Sequence, residues 1–235
     1  IKGNGRAKHG IKVENVGTAH LIISCNTIEY YGTDEDSAGI LIRGSNATAQ
    51  ITENLIDGAA SYRDTYATGI EITEGAKANI VENWIQGNRF GLVLDSNDNI
   101  VSSNFIENNY WGIYMSKSGN SVTNNVIIEN YIGVVADEGS DNTVTFNWIY
   151  DNDELGARTD LEGTHLTATH NWWGVSTADE VMEQISGNVE FSPWYIDEEM
   201  TVLSDEAAVE AVNSAFDEEE LPTQLDRVFD EEALP

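Results

Sequence analysis

The sequence predicts an all-β solenoid, a parallel β-helix of about seven coils with a short helical C-terminal segment. Three observations predict this fold class. An asparagine returns every 21 to 29 residues, an apolar residue stands at a constant distance on each side of it, and a glycine precedes each alternating apolar run. Self-similarity at a period of roughly 20 to 50 residues is the mark of a solenoid.

The repeated asparagine is expected at a corner of each coil, because asparagine favours turns and fills strands poorly. It stands at Asn26, Asn54, Asn83, Asn104, Asn125, Asn147 and Asn171. Successive coils stack as parallel strands roughly 4.8 Å apart, so equivalent side chains lie above one another. We therefore predict a structural ladder in which each amide bonds to its copies in the adjacent coils.

Apolar positions around the ladder predict the strands. Three residues before each asparagine stand Ile23, Ile51, Ile80, Val101, Val122, Val144 and Ala168. Two residues after it stand Ile28, Ile56, Ile85, Ile106, Ile127, Ile149 and Trp173. A glycine then opens the next run, at Gly10, Gly39, Gly69, Gly91, Gly112, Gly133 and Gly156. The apolar spacing of two and the short runs exclude a helix within a repeat. We call the sheet that follows these glycines the Gly-led sheet.

The C-terminal region departs from the repeat. Residues 177–185 predict a short helix with Val181, Met182 and Ile185 on one face, and residues 188–195 a final strand. From Asp197 onward there are 14 Asp and Glu and one basic residue, Arg227, yet apolar residues keep helical spacing. We predict a β-helix with its C-terminal cap over 1–195. Residues 196–235 are predicted to form an acidic helical segment that docks on the solenoid or on a partner.

These residues carry a family resemblance. The G-I-x-L and I-x-x-N-x-I-x-x-N patterns resemble the right-handed, pectate-lyase-like β-helix superfamily. The stretch ATHNWWGVSTADEVMEQISGNVEFSPWY (168–195) resembles the last coil and cap of secreted archaeal and bacterial surface proteins related to nitrous-oxide-reductase accessory proteins. The resemblance covers roughly residues 10–195 and implies a right-handed helix. The superfamily includes lyases, hydrolases, epimerases, carbohydrate binders and structural proteins, so it leaves the function open.

Composition limits the partners. The chain has 41 Asp and Glu against 11 Lys and Arg, a formal net charge of −30. Too few cations are present to neutralise nucleic-acid phosphates or an anionic membrane surface. The excess acid suits a protein of high salt or one that collects divalent cations, and an ordinary acidic surface fits equally. There is no apolar run long enough for a transmembrane helix. The single cysteine, Cys25, is interpreted as a small residue of the first coil.

The Gly-led sheet offers the first candidate site. Its outward positions place Arg43, Glu71 and Asp95 on three consecutive coils. In the superfamily that the sequence resembles, the polysaccharide cleft generally lies along this sheet. Paired carboxylates can do acid–base work on a glycosidic bond, and arginine can hold a uronate. The chain lacks the dense aspartate cluster of polygalacturonases and the Asp-Pro-His-Glu motif of alginate epimerases, and a solvated charged face fits as well.

Two insertions, residues 30–38 and 57–68, offer a second candidate surface because they leave the same corner of adjacent coils. Asp34, Glu35 and Asp36 carry oxygens that could bind Ca²⁺, and no other cofactor is expected. The second insertion carries Tyr62, Arg63 and Tyr66, residue types that contact sugars. Packing of one loop on the other is the alternative interpretation.

The residue after each ladder asparagine forms a third surface, which we call the stripe. It comprises Thr27, Leu55, Trp84, Phe105, Val126, Trp148 and Trp172. Because the next residue is buried, the stripe faces outward. An exposed apolar stripe indicates a cover, a partner chain or a carbohydrate ligand. The C-terminal helices are the expected cover.

The function that the sequence favours is non-catalytic: an extracellular or cell-surface module with a structural or adhesive role. Its expected partners are other protein chains or an extracellular polysaccharide, without nucleic acid or membrane insertion. A polysaccharide-active enzyme on the Gly-led sheet is the alternative, and a carbohydrate-binding module is the third hypothesis.

Overall fold

The computed structural model describes residues 8–14, 18, 20–29, 31–32, 36–58 and 65–204. These residues form 22 strands and one short helix. In chain order they are β1 (His9–Glu14), β2 (His20–Ser24), β3 (Thr27–Glu29), β4 (Ala38–Arg43), β5 (Thr48–Thr52), β6 (Leu55–Asp57), β7 (Thr68–Thr73), β8 (Lys77–Val81), β9 (Trp84–Gln86), β10 (Phe90–Asp95), β11 (Ile100–Ser102), β12 (Phe105–Glu107), β13 (Trp111–Met115), β14 (Ser121–Thr123), β15 (Val126–Ile128), β16 (Ile132–Ala136), β17 (Asn142–Thr145), β18 (Trp148–Tyr150), β19 (Leu155–Thr159), β20 (Leu166–Thr167), α1 (Ala178–Glu183), β21 (Ile185–Ser186) and β22 (Val189–Glu190).

Three parallel sheets run the length of the solenoid and confirm the predicted right-handed parallel β-helix. The Gly-led sheet has the order β1-β4-β7-β10-β13-β16-β19-β21. The second sheet has the order β2-β5-β8-β11-β14-β17-β20-β22. The third sheet has the order β3-β6-β9-β12-β15-β18, and it carries the stripe. From β1 to β17 each strand pairs with the strand three places later in the chain, so each coil from β1 to β18 contributes one strand to each sheet. The last turns add β19 to β22 to the first two sheets only.

The register stacks like on like, which makes the core a set of apolar columns. Ile40 pairs with Ile70, and Leu92 pairs with both Ile70 and Ile113. The isoleucines two residues after the ladder asparagines are all inaccessible to solvent, and so is Trp173, which takes their place in the last repeat. Each coil contacts only the coils next to it, so the apolar area buried between adjacent coils is the main source of stability in a solenoid.

The repeated glycine is required by the close approach of neighbouring coils. A Cβ atom added at Gly112 would lie 2.5 Å from the carbonyl oxygen of Gly133 and 3.1 Å from the amide nitrogen of Asn130. A clash with backbone cannot be relieved by a side-chain rotation. Glycine is therefore the residue that lets the Gly-led strands start beside the asparagine corner.

The ladder asparagines occupy a buried corner from Asn54 to Asn171, whereas Asn26 at the N-terminal end is partly exposed. The Asn83 side-chain amide donates to Oδ1 of Asn104 (3.0 Å), and Asn104 donates in the same way to Asn125 (2.9 Å). Each Oδ1 also accepts the backbone N–H of the preceding coil's asparagine, as in the 2.9 Å bond from Asn104 N to Asn125.

Two further asparagine ladders close the other corners. One contains Asn88, Asn109, Asn130 and Asn152. The other contains Asn99, Asn120 and Asn142. Tyr31 stands at the sequence position of the first of these ladders, and its hydroxyl donates a short hydrogen bond to Oδ1 of Asn88. Among the described residues this ladder begins at Asn88, and the buried Tyr31 caps its N-terminal end.

The residue before each ladder asparagine adopts the left-handed conformation that turns the chain between sheets. These residues are Cys25, Glu53, Glu82, Ser103, Asn124, Phe146 and His170, with φ between 55° and 58°. Residues other than glycine and asparagine are sterically disfavoured in this conformation. Six of these seven residues are of other types, so favourable interactions such as the neighbouring amide ladder must compensate for the steric cost.

The C-terminal cap is smaller than the sequence predicts. Helix α1 begins after Thr177, whose side chain forms a capping box with Glu180, and it ends at Glu183. Val181 is buried, but Met182 is 50% exposed, so the predicted apolar face is wrong at that residue. Residues 196–204 contain no helix, and the apolar residues beyond Ser204 lie outside the described residues.

Candidate functional sites

The first candidate site lies on the outer face of the Gly-led sheet. Arg43, Thr73 and Asp95 are neighbours in register on β4, β7 and β10. Glu71 lies on β7 two residues before Thr73, and it pairs with Leu41 of β4. The structure therefore brings Arg43, Glu71 and Asp95 onto consecutive coils.

Arg43 and Asp95 are occupied by neighbouring side chains. The Arg43 guanidinium lies 3.3 Å from a carboxylate oxygen of Glu14 and 3.3 Å from one of Glu74. Asp95 accepts hydrogen bonds from Ser116 (2.6 Å) and Thr73 (2.9 Å), and Lys117 lies 3.3 Å from the same carboxylate. These contacts hold the Asp95 carboxylate in a fixed position.

Glu71 and Asp95 respond to their surroundings in opposite directions. Burial raises the pKa of Glu71, and the attraction of Arg43 only partly opposes this. Burial also acts to raise the pKa of Asp95, but the hydrogen bonds from Ser116 and Thr73 and the charge of Lys117 outweigh it and lower that pKa. The pair thus resembles a protonated acid and an ionised partner.

An aromatic patch lies further along the same face, and the sequence reasoning missed it. It consists of Phe90, Tyr110, Trp111, Tyr114 and Tyr131, all of them partly exposed. Phe90 packs edge-on against Trp111 with ring centroids 5.0 Å apart, and Trp111 stacks on Tyr114 at 5.4 Å. Tyr110 stacks on Tyr131 at 4.7 Å in the next coil.

Two arginines border the aromatic patch. The Arg89 guanidinium lies 3.6 Å from the centre of the Tyr110 ring, and that of Arg158 lies 5.5 Å from Trp111. Arg158 also pairs with Asp160 on its own strand end. The signal for this patch was present in the sequence, since aromatic residues stand one or two places before the repeated glycine in successive coils.

The Tyr114 hydroxyl faces a carboxylate. It donates a short hydrogen bond to Oδ2 of Asp137 on the next coil. Burial, followed by the hydrogen bond and charge of Asp137, raises the pKa of Tyr114 well above its ordinary value. Tyr114 is therefore a neutral donor at physiological pH.

Leu41 and Val135 occupy outward positions of the same face but are buried, contrary to the alternation expected from the sequence.

The predicted loop site falls mainly outside the described residues. Asp34, Glu35, Tyr62 and Arg63 belong to the parts that are not described. Asp36 forms an exposed ion pair of 3.1 Å with Lys8. Tyr66 is 57% exposed, and its ring lies 5.9 Å from the Arg89 guanidinium. Tyr66 thereby extends the aromatic patch toward the insertion.

The stripe faces outward along the third sheet, and its middle differs from its C-terminal end. Trp84 is 47% exposed and meets Phe105 edge-on, with ring centroids 5.8 Å apart. Trp148 and Trp172 are half-buried against residues of the same chain. The Trp148 indole N–H donates to the carbonyl of Glu198 (2.8 Å), and Trp172 forms a parallel bridge with Tyr195.

The fold and these surfaces define a right-handed parallel β-helix protein. Its family follows from comparison with known sequences: the model of NosD, described as a periplasmic copper-binding protein, matches residues 1–172. The chain belongs to the NosD family. That description agrees with a secreted protein that acts outside the cytoplasm. No helix among the described residues has the length and hydrophobicity that crossing a bilayer requires.

A solved structure supports the same architecture. A mutant of the periplasmic alginate epimerase AlgG matches with a TM-score of 0.57 and 20% sequence identity. The match covers 78% of this chain and 47% of the epimerase, so this chain spans about half the length of that enzyme. At this identity the likeness establishes the fold. No curated protein sequence matches the chain.

The residues in the described ranges do not fit the copper site that the family description suggests. Within those ranges no three His, Cys, Asp or Glu side chains converge on one point. The Cys25 thiol, which is exposed rather than packed inside the coil, lies 3.4 Å from a Glu53 carboxylate oxygen. That hydrogen bond raises the pKa of the thiol and keeps it protonated, and copper prefers the thiolate.

Proposed function

We propose that this protein is a non-catalytic, adhesive module of the cell exterior that binds a polysaccharide on the aromatic patch. The observation that carries the proposal is the set of stacked, partly exposed rings of Phe90, Trp111 and Tyr114 on the Gly-led sheet. Aromatic rings bind the apolar faces of sugar rings, and their rigidity keeps the entropic cost of binding low.

The geometry of the patch suits an extended polymer. Rings on adjacent coils repeat at the strand spacing of roughly 4.8 Å, close to the length of one pyranose unit along an extended chain. Arg89 adds hydrogen-bond donors beside the rings. The hydroxyl groups of Tyr114 and Tyr131 donate to Asp137 and Glu154, and their oxygens can accept hydrogen bonds from a sugar. A polysaccharide that runs along the solenoid axis would therefore meet aromatic rings on three successive coils, those of Phe90, Trp111 and Tyr131.

A neutral polysaccharide is favoured over a uronan. The formal net charge of −30 repels polyanions, and the basic groups nearest to the rings, Arg89 and Arg158, lie over aromatic faces. The non-catalytic part of the proposal rests on Arg43, which is ion-paired with Glu14 and Glu74, and on Asp95, which accepts hydrogen bonds from Ser116 and Thr73.

The test is affinity electrophoresis and calorimetry with a panel of neutral polysaccharides and alginate. Trp111→Ala is expected to weaken binding about tenfold or more, as loss of a central aromatic anchor does. Tyr114→Phe keeps the ring and should retain most of the affinity. The matched control is Trp84→Ala, which removes an exposed indole from the third sheet and should leave binding unchanged.

The same samples decide between binding and catalysis. Native protein incubated with each polysaccharide is expected to release neither reducing ends nor unsaturated products. If products appear and Glu71→Gln or Asp95→Asn abolishes them, the enzyme hypothesis replaces this proposal. Failure of every polysaccharide to bind, or equal binding by Trp111→Ala, would refute the assignment of the patch.

A further inference from the structure

The stripe on the third sheet already holds another part of the same chain at its C-terminal end. Residues 193–203 run across Trp148 and Trp172: the His170 N–H donates to the Pro193 carbonyl, and the Trp148 indole donates to the Glu198 carbonyl. The stripe thus combines ring packing with an indole N–H aimed at a backbone carbonyl. This is an intramolecular example of what the surface can hold.

The middle of the stripe, around Trp84 and Phe105, is an open groove of about 540 Å³. Its lining comprises Glu82, Asn83, Trp84, Ser103, Phe105 and Glu107. Trp84 forms its floor at 47% exposure, and its indole N–H donates to Oε1 of Glu107 at 2.8 Å. Apolar surface of this kind, without a cover among the described residues, marks an interaction site.

The charge around the groove selects its occupant. The third-sheet strands and the corner residues directly before and after them carry only carboxylates as formal charges. These are Glu29, Glu53, Asp57, Glu82, Glu107, Glu129 and Asp151. The basic side chains in the described ranges lie elsewhere, on the other two sheets or at the corners next to them.

The same argument disfavours the chain's own C-terminal residues as the occupant. Residues 205–235 contain eleven Asp and Glu and one Arg. Bringing them against Glu82 and Glu107 would place like charges together, which costs free energy. A cationic segment would gain the same interactions with opposite sign.

We propose that the Trp84–Phe105 groove docks an extended, lysine- or arginine-bearing polypeptide segment of a partner protein. The ring faces accept the alkyl stems and make cation–π contacts, while the carboxylates pair with the charged ends. The proposal concerns a different sheet and a different ligand from the polysaccharide patch, so either can fail alone.

The probe is a fluorescein-labelled octapeptide in which lysine alternates with valine, titrated into the full chain by fluorescence anisotropy. Saturable binding is expected, with Trp84→Ala weakening it about tenfold or more. A peptide with glutamate in place of lysine should not bind. Ile100→Ala is the matched control, because Ile100 is a 46%-exposed apolar residue on the second sheet.

Three outcomes would overturn the proposal. The first is an absence of saturable binding, and the second is binding that Trp84→Ala leaves unchanged. The third is Trp84-dependent binding of a glucosamine oligomer without binding of the lysine peptide, which would assign the groove to a cationic sugar. Urea unfolding of each variant shows whether an altered affinity reflects the groove or loss of fold.

Discussion

Replacing Asn125 by leucine tests how much the main ladder contributes to stability. Asn125 is inaccessible to solvent in the middle of the ladder. Its Oδ1 accepts from the backbone N and the Nδ2 of Asn104, both at 2.9 Å. Its Nδ2 donates to the Val101 and Thr123 carbonyls at 3.0 Å and to Asn147 at 2.9 Å. Leucine is similar in size and makes none of these bonds.

The magnitude follows from which groups are left without partners. The backbone N–H of Asn104 becomes a buried donor without an acceptor, which costs roughly 1–3 kcal/mol, and each further lost hydrogen bond costs roughly 0.5–1.5 kcal/mol. The Asn147 oxygen keeps its bond from the backbone N–H of residue 125 at 2.9 Å. Burying the leucine side chain offsets roughly 1.5–3 kcal/mol. We expect a net loss of about 2–4 kcal/mol in the free energy of unfolding.

The matched control is Asn26→Leu at the end of the same ladder. Asn26 is partly exposed, and water can reach the groups that its side chain leaves. Its replacement should cost about 1 kcal/mol or less. The assay is urea unfolding followed by both far-ultraviolet circular dichroism and tryptophan fluorescence, since a solenoid is treated as two-state only when the two transitions coincide. Equal costs for the two variants would refute a ladder stabilised by buried amides.

Three further predictions use the same stability measurements. Gly112→Ala should destabilise by roughly 1–3 kcal/mol, because its Cβ would meet the Gly133 carbonyl at 2.5 Å; a neutral effect would mean that the coils can separate. Glu71→Gln should raise the melting temperature at pH 7. Burial raises the pKa of Glu71, so ionisation of its carboxyl lowers the stability as the pH rises above the ordinary value of 4.5. The difference between the two proteins should vanish below that pH. Asp95→Asn should lower the melting temperature at pH 7, with the difference shrinking as the pH falls below 3.8, because this carboxylate has a lowered pKa; effects of equal sign for the two variants would contradict the assigned environments.

The fold was predictable because the period imposes it. Asparagine, isoleucine and glycine recur at spacings that stack only when each repeat makes one coil, and the register of Ile40, Ile70 and Leu92 follows directly. The third ladder, at Asn99, Asn120 and Asn142, escaped prediction because it belongs to three repeats only. The role of Tyr31 escaped too, since its reach to Asn88 crosses coils and depends on the size of one side chain.

The surfaces were harder to predict, because the outward positions do not repeat. Leu41 and Val135 alternate outward yet are buried, since their exposure depends on the neighbouring side chains and loops rather than on the period. Phe90 and Trp111 precede the repeated glycine, at a place that pattern reasoning assigns to a corner. Their contact is a property of two stacked coils. Pairing of Arg43 with Glu14 and Glu74 likewise needs three coils at once.

The uneven placement of the basic residues separates the two proposed surfaces. Arg43, Lys117 and Arg158 neutralise carboxylates along the Gly-led sheet. On the third-sheet strands and within two residues of them, the formal charges among the described residues are all carboxylates. Salt screens exposed charges beyond a Debye length of roughly 8 Å at physiological ionic strength and roughly 3 Å at 1 M. Binding of the lysine peptide at Trp84 should therefore weaken steeply as NaCl rises from roughly 0.05 M to roughly 1 M. Binding of a neutral polysaccharide at Trp111 should change little. Equal salt dependence at both sites would mean that charge does not distinguish the two faces, and it would remove the reason for assigning them different ligands.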